Sequence, residues 1–220
     1  MKTFLVWIPA IIIYGLFLGW HQNWGGPLTQ IEISNIMQRL EASEVGTSAR
    51  NELQTMQEFL EADDGREFYM LNLVRVDPGE VKGPDGVVRP AREVVEEYTK
   101  VFMPSLLARG GYPAIVARKR GGYFDAWGVE ADPGWSIIGY MRYRSRRDLA
   151  ELVLDPRFGG AHDFKFAAMP NTFSFPTQPE LLALPSPQIW VAALLGLFAS
   201  FGQIAWLLAG RGAGAWATRR

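Results

Sequence analysis

Four polar side chains in this 220-residue sequence have types and positions that suit chemistry on a small molecule. Asn72 is an amide inside the apolar run FYMLNLVRV, Tyr140 and Arg142 alternate within WSIIGYMRYR, and His162 follows a pair of glycines. An amide among apolar neighbours needs hydrogen-bond partners, so Asn72 either fixes local structure or reaches a ligand. A histidine titrates near neutral pH, which suits a general base. A surface position for Arg142 and a loop position for His162 are the simpler alternatives.

Hydrophobic periodicity predicts the elements that must position these residues. In an extended strand alternate residues share a face, so Tyr140 and Arg142 lie together, while Asn72 lies with Phe68 and Met70. The resulting order, after a helical lead-in, is β-α-β-β-α-β, which is the split βαβ arrangement of ferredoxin-like α+β domains. The predicted strands are Glu67–Val76, Tyr112–Arg120, Trp135–Arg144 and Thr172–Phe175, and the predicted helices lie within Thr29–Asp64 (in two runs, the second from Ser48), Arg92–Arg109, Arg146–Leu154 and Arg157–Met169.

Charge and composition exclude several classes of partner. The segment from Glu32 to Glu180 carries 18 basic and 23 acidic residues, so phosphate backbones repel it and nucleic acid is not an expected partner. The chain has no cysteine, which excludes disulfides and thiolate sites, and two histidines are too few for an all-imidazole metal site. No metal is therefore expected. The P-loop, nucleophile-elbow, zincin and dinucleotide motifs are also absent from the sequence.

Apolar segments at both ends predict an integral membrane protein. Phe4–Trp20 and Ile189–Gly210 contain 17 and 22 residues without a formal charge, and a helix of about 20 residues spans a bilayer. We interpret the first segment as a signal anchor; a cleaved signal peptide is the alternative, although no A-x-A site follows it. Basic residues flank only the outer ends, which predicts cytoplasmic termini and a domain on the periplasmic or extracellular side of a bacterial inner membrane.

Small residues recur at every fourth position of the second apolar segment. Ala192, Gly196 and Ser200 form a stripe that would let another helix approach closely, so it could contact a membrane-protein partner. Chance is the alternative in a helix rich in alanine and glycine. Gln203 predicts a hydrogen bond to a neighbouring helix.

These patterns divide the chain into six parts. The predicted divisions are a signal anchor (1–24), a helical lead-in (25–64), the α+β domain (65–180), a linker (181–188), the C-terminal transmembrane helix (189–210) and a basic tail (211–220).

Three stretches of the domain resemble a known family. The strings FYMLNLVRV, EEYTKVFMPSLLARGG and WSIIGYMRYRSRRDLAELVLDPRFGGAHDFKFAAMPNT are similar to domain-of-unknown-function family 1330, of the dimeric α+β barrel superfamily. The resemblance covers about residues 53–175. Its most specific parts are Asn72-Leu73, the Tyr98–Gly111 helix with its double glycine, and Tyr143-x-Ser145 followed by Asp155-Pro156. The flanking membrane helices depart from the usual family pattern.

The resemblance implies a homodimer in which two sheets close a barrel, with one sheet face looking into a shared interior. Tyr140 and Arg142 would then join Asn72 in a polar corner of that interior. Cofactor-independent oxygenases of the superfamily hold an aromatic substrate with similar amide, aromatic and cationic groups. The superfamily also places a haem ligand or a general base in the region of His162.

Two functions from different classes follow. The first is a membrane-anchored ligand-binding module or accessory subunit of a membrane complex, without a cofactor. The second is a cofactor-independent oxygenase or isomerase that acts on a lipophilic substrate and uses Asn72, Tyr140, Arg142 and His162 as catalytic residues; haem is a further possibility at His162. The lipid bilayer and a second copy of the chain are the expected partners.

Overall fold

A computed structural model describes residues 5–43, 53–181 and 186–217 of the chain, with side chains as far as residue 209. The chain divides into two compact units. The first contains the two apolar ends, residues 1–22 and 180–220, and the second is the domain between them, Asn23–Pro179. The predicted helical break at Gly46 and the predicted helix start at Ser48 lie outside the described residues.

A four-stranded antiparallel sheet forms the centre of the domain. Its strands are β1 (Phe68–Arg75), β4 (Tyr112–Arg118), β5 (Ile137–Tyr143) and β6 (Asn171–Thr177), and their order across the sheet is β4-β5-β1-β6. β1 pairs with β5 through Phe68–Tyr143 and with β6 through Tyr69–Thr177. All four predicted strands are therefore present, and the α+β class is confirmed.

Helices cover one face of this sheet. They are α4 (Ala91–Ala108), α5 (Arg146–Val153) and α6 (Pro156–Ala168). Burying aromatic and aliphatic side chains removes apolar surface from water and fixes which sheet face lies inward. The main core contains Phe68 and Tyr143 from the sheet, whose rings stack with centroids 5.2 Å apart, and side chains from the three helices, namely Phe102, Leu106, Leu149, Leu152 and Phe158.

The helical lead-in belongs to the domain unit and packs against the same layer of helices. α2 (Gln30–Glu41) and α3 (Leu53–Glu61) bury one apolar stripe each against α5. Thr29 caps α2 by accepting a hydrogen bond from the Glu32 amide, while the Glu32 carboxylate accepts one from the Thr29 amide, which satisfies two otherwise unpaired donors. Periodicity predicted both helices.

A short hairpin replaces the loop predicted between the first strand and its helix. β2 (Glu80–Lys82) pairs with β3 (Val88–Pro90), and Gly86 takes a φ of 81° in the turn. Each strand has three residues and only one of them is half-buried, so neither carries an alternating apolar pattern for sequence reasoning to detect.

One described helix is long and apolar enough to cross a membrane. α7 (Pro187–Ala217) begins with a proline at its first position, where a missing N–H costs nothing, and residues Pro187–Ala209 satisfy the length and composition of a span. The N-terminal helix α1 (Trp7–His21) has 15 residues, about 22 Å, because Gln22 is extended. Two spanning helices were expected. Among the described residues, only the C-terminal helix has the length and composition of a span, and the N-terminal helix is too short.

The two apolar helices contact each other within their own unit. The Trp7 indole N–H donates to the Gln203 side-chain oxygen over 2.7 Å, and a Cβ at Gly202 would lie 3.0 Å from Val6 Cγ1. The predicted partner helix of Gln203 is therefore α1. A Cβ at Gly196 would meet nothing within 4 Å, and the Ser200 hydroxyl donates to the Gly196 carbonyl. Within the described residues, no helix therefore packs on the Ala192-Gly196-Ser200 stripe at Gly196.

Candidate functional site

The sheet face opposite the helices is the first candidate site. The register places on it residues that alternate with the core side chains along each strand. Three of them are large, apolar and exposed: Ile115, Phe173 and Phe175. None of the residues on this face belongs to the three hydrophobic clusters of the described chain. We call it the open face; its members are Tyr69, Leu71, Leu73, Tyr112, Ile115, Ala117, Ile138, Tyr140, Arg142, Phe173, Phe175 and Thr177.

Arg142 lies at one end of the open face and is fully occupied by protein partners. Its side chain is 1% exposed, its Nε donates to Glu67 Oε2 over 2.9 Å, and its Nη1 donates to the Gly110 carbonyl over 2.6 Å. The guanidinium also lies 5.4 Å from the Tyr112 ring centroid. The interpretation of Arg142 as a surface residue is wrong, because a carboxylate 75 positions earlier in the chain compensates the buried charge.

The double glycine after α4 lets the backbone pass close to Arg142. Gly110 takes a φ of 73°, which ends the helix and turns its carbonyl toward the guanidinium. A Cβ at Gly111 would lie 2.8 Å from the Arg142 carbonyl oxygen and closer still to Leu106. The Gly-Gly sequence is thus required where β4 passes Arg142.

Two tyrosines complete this end of the face. A hydrogen bond links the Tyr69 and Tyr112 side chains, and burial raises the pKa of both hydroxyls above the ordinary value of 10.0. Both phenols therefore stay protonated at neutral pH, as hydrogen-bond donors and acceptors beside the Arg142–Glu67 pair.

Tyr140 lies in the apolar middle of the open face. It pairs with Leu71 on β1 and with Ile115 on β4, and its side chain is half-buried. Its hydroxyl has no hydrogen-bond partner among the residues that the structure describes. A donor surrounded by apolar neighbours is the kind of group that orients a largely apolar ligand.

Asn72 lies on the opposite, helix-covered face of the sheet. It pairs with Gly139, and this pair is on the same face as the core pair Phe68–Tyr143. Its amide donates to the Met70 carbonyl over 3.0 Å and to the Gly139 carbonyl over 3.4 Å. Ser174 donates its hydroxyl to the Asn72 side-chain oxygen over 2.8 Å. Asn72 thus joins β1, β5 and β6, and the predicted polar corner with Tyr140 and Arg142 is not formed.

His162 lies on α6 in the helix layer, among aromatic rings. Its ring centroid is 4.2 Å from that of Phe158 and 5.8 Å from that of Tyr98. Nδ1 is 3.1 Å from the Phe158 carbonyl, which accepts the hydrogen bond, so Nε2 is the basic nitrogen. Burial, followed by the nearby Lys165 charge, lowers the pKa of His162 below 6.5, so the ring is neutral at pH 7.

Lys165, one turn further along α6, was not singled out by sequence reasoning. Its ammonium lies 5.8 Å from the Tyr98 ring centroid, and burial lowers its pKa. Within the described ranges it has no carboxylate partner. The signal available in sequence was its spacing of three from His162, which places both on one helix face. Tyr98, His162 and Lys165 therefore form a second group of titratable side chains, in the helix layer.

The structure thus distributes the four predicted residues over three places. Tyr140 and Arg142 share the open face, Asn72 lies on the helix-covered face of the sheet, and His162 lies in the helix layer. Their catalytic roles stay predictions, and the only pair brought together is Tyr140 with Arg142. Among the described residues no group of three or more His, Asp or Glu side chains is arranged to hold a metal ion.

Comparison with known proteins identifies the fold and no more. No protein-family model matches the sequence, and no curated protein matches it significantly. A crystal structure of the methylated RPA0582 protein is 21% identical, covers 62% of this chain and 98% of its own, and has a TM-score of 0.51. A second structure, of the RPA0582 protein of unknown function from Rhodopseudomonas palustris, is also 21% identical, covers 60% and 96% of the two chains, and has a TM-score of 0.49.

Proposed function

We propose that this chain is a membrane-anchored module in which the open faces of two copies enclose a small, largely apolar ligand. The observation that supports this proposal is an apolar sheet face, with Ile115, Phe173 and Phe175 exposed, around a tyrosine hydroxyl that has no partner among the described residues. Exposed apolar faces of this kind are sites of association. The module acts as a ligand carrier or as an accessory subunit of a membrane complex.

The strand order supports assignment to the ferredoxin-like, dimeric α+β barrel type. The four strands follow the chain as β-α-β-β-α-β, with a short hairpin inserted before the first helix, and the order β4-β5-β1-β6 places the first and third core strands in the centre. This assignment agrees with the resemblance to domain-of-unknown-function family 1330. A homodimer through the sheet is part of the proposal.

Both apolar helices hold the domain at the membrane in this proposal. α7 spans the bilayer, and α1, which is shorter than a full span, packs beside it as a signal anchor held by the Trp7–Gln203 hydrogen bond. A hydrogen bond between helices in hydrocarbon contributes about 0.6–2 kcal/mol. The basic residues at the two outer ends support cytoplasmic termini and a periplasmic or extracellular domain in a bacterial inner membrane.

Native mass spectrometry of the full chain in mild detergent tests the ligand site. We expect a retained small molecule that is lost or reduced in Tyr140→Phe, because that change removes only the hydroxyl facing the open side. Tyr14→Phe is the matched control, since it removes a hydroxyl from α1 and leaves the sheet intact. Retention that is equal in both variants would contradict a role for Tyr140.

An oxygenase or isomerase without a cofactor is the second candidate function. The observation in its favour is that Tyr140 and Arg142 share the open face. Incubating the protein with its retained molecule in ¹⁸O₂ distinguishes the two, since an oxygenase would add labelled oxygen and an isomerase would change the product without adding mass. An unchanged molecule would favour the binding module. An absorbance scan of the same preparation would reveal haem.

A further inference from the structure

Arg75 and Asn171 extend the open face at the end of the sheet opposite Arg142. Arg75 is next after Leu73 in the alternation of β1, and β6 pairs it with Asn171, which is next after Phe173. Both side chains are half-buried. The open face therefore has a guanidinium at each end, with apolar side chains between the two.

Arg75 differs from Arg142 because no carboxylate in the described part of the chain compensates its charge. Its hydrogen bond runs from Nη1 to the Asn171 side-chain oxygen and is long, at 3.4 Å. Each of the other buried or half-buried arginines in the described ranges forms an ion pair with an aspartate or a glutamate. Partial burial of an uncompensated guanidinium is unfavourable, so this position favours an anion supplied from outside the chain.

The carboxylates in the two loops beside Arg75 are engaged elsewhere. Asp77 accepts a hydrogen bond over 2.8 Å from the backbone amide two residues later. Asp132 pairs with Lys119 and accepts from the Gly134 amide. The Gly134 backbone lies beside the Arg75 side chain, since a Cβ there would be 3.5 Å from Nε. Arg75 is therefore supported by its surroundings while most of its N–H groups stay available.

A carboxylate matches the available donors. Arg75 keeps Nε and Nη2, and the Asn171 amide nitrogen makes no hydrogen bond to any residue that the structure describes. A planar guanidinium binds a carboxylate through two parallel hydrogen bonds. The segment from Glu32 to Glu180 has 18 basic and 23 acidic residues, so it tolerates one negative charge better than the two of a phosphate monoester. A monoanion is therefore the expected ligand group.

The apolar surface between Arg75 and Tyr140 determines the rest of the ligand. Tyr140 pairs with Leu71, which precedes Arg75 by four residues, or about 13 Å along the strand. Leu73 and Phe173 pair with each other between these positions, and Phe173 is 55% exposed. A molecule that reaches from Arg75 toward Tyr140 therefore needs an apolar body.

We propose that the ligand of the open face is an amphiphilic monocarboxylate. Its carboxylate is bound by Arg75 and the Asn171 amide, and its apolar body lies over Leu73 and Phe173 toward Tyr140. This inference rests on the proposed ligand site and adds the chemical class of the ligand. Arg75 is the residue that selects an acid over the ester of the same chain.

Competition between a matched acid and ester tests the role of Arg75. The full chain, immobilised in mild detergent, is exposed to equal amounts of dodecanoic acid and methyl dodecanoate at a pH at which the acid is ionised, and the bound molecules are released and quantified. We expect about tenfold more acid than ester on the wild type, because the ester keeps the apolar body and loses the charge-assisted hydrogen bonds. Arg75→Gln should bring the ratio close to one.

Arg118→Gln is the matched control. It removes the same charge from an exposed position at the same end of the sheet, where Arg118 pairs with Ile137 and so lies outside the alternation of the open face. We expect this variant to keep the wild-type ratio. Circular dichroism should be unchanged in both variants, since Arg75 loses a single long hydrogen bond on substitution.

The outcomes separate this inference from the proposed ligand site. Equal binding of acid and ester to the wild type, or the same preference for the acid in Arg75→Gln, would overturn the carboxylate site and leave the apolar site intact. An equal loss of preference in Arg75→Gln and Arg118→Gln would also overturn it, because general charge attraction would then suffice. Binding of neither molecule above the detergent background would overturn both proposals.

Discussion

At the scale of single residues, the polar end of the open face depends on the charge pair between Arg142 and Glu67. Changing Glu67 to Gln keeps the shape of the side chain and removes the charge that compensates a guanidinium 1% exposed. We expect the free energy of unfolding to fall by about 1–3 kcal/mol, because a buried charge loses its partner. Denaturant unfolding of the full chain in detergent measures the loss.

The matched control is Glu80→Gln, which removes a carboxylate from an exposed position of β2. We expect a change within about 0.5 kcal/mol there. Equal effects of the two variants would mean that the Arg142 charge has no need of Glu67.

Asp155 makes stability depend on acid pH. Arg157, and to a smaller extent Arg109, hold the pKa of this carboxyl at about 2, below the ordinary 3.8. The folded-state pKa is depressed, so the stabilisation is present above about pH 4 and is lost as the pH falls toward 2. We expect Asp155→Asn to remove about 1–2 kcal/mol at pH 7 and to flatten this part of the profile, whereas Asp125→Asn, at an exposed position in the connection between β4 and β5, should leave it unchanged.

His162 acts in a separate pH window. Its pKa is lowered in the folded state by burial and by Lys165, so the folded domain binds that proton less readily than the unfolded chain does. Stability is therefore complete above pH 6.5 and falls as the pH drops below it. We expect the slope between pH 6.5 and 5 to disappear in His162→Gln, as measured by chemical unfolding at a series of pH values; a slope that persists would contradict a buried neutral imidazole.

Sequence reasoning predicted the type of these residues better than their surroundings. The alternation along β5 correctly placed Tyr140 and Arg142 on one face. It gave no information about Glu67, which is 75 positions away from Arg142 in the chain. It also gave no information about which alternate residues of β1 lie on the same sheet face as Tyr140 and Arg142. The grouping of Asn72 with Tyr140 failed for the second reason, since register between strands depends on the packing of the whole sheet.

At the scale of elements, the contact between α1 and α7 depends on a glycine. A side chain at Gly202 would meet Val6, whereas nothing lies within 4 Å of a Cβ at Gly196, so the two glycines form a matched pair in one helix. We expect Gly202→Val to separate the helices and Gly196→Val to leave them in contact. Bismaleimide cross-linking between cysteines placed at Trp7 and Gln203 reports the separation, because the chain has no other cysteine.

A cross-link equally efficient in both variants would contradict close approach at Gly202. The Gly196 variant also tests the small-residue stripe, since a helix from another protein packed at Ala192, Gly196 and Ser200 would be displaced by a valine there. Loss of a co-purifying membrane partner in Gly196→Val would identify that stripe as its contact.

Helices and long strands followed from periodicity because their buried stripes repeat over several turns or pleats. The runs that became α2, α4 and α5 each bury apolar residues on one side. The β2–β3 hairpin did not follow, since a three-residue strand has too few positions to show alternation. The helical end at His21 depends on the extended backbone of Gln22, for which the apolar composition before it gives no signal.

At the scale of the whole molecule, the composition of the apolar ends and the order of the elements were sufficient to predict the fold class and a C-terminal helix that is long and apolar enough to cross a membrane. They were insufficient for the identity of a ligand, because neither an apolar face nor a single tyrosine hydroxyl specifies one molecule. The central claim is that the open face is an internal wall shared by two chains.

Native mass in mild detergent, compared between the wild type, Leu71→Glu and Val88→Glu, tests that claim most directly. Leu71 lies in the middle of the open face, and Val88 is exposed on the β2–β3 hairpin. We predict that the wild type and Val88→Glu have twice the 24.6 kDa chain mass and that Leu71→Glu is a folded monomer, because a carboxylate cannot be buried unpaired between two apolar sheets. A wild-type monomer, or a dimer that withstands Leu71→Glu, would contradict the account.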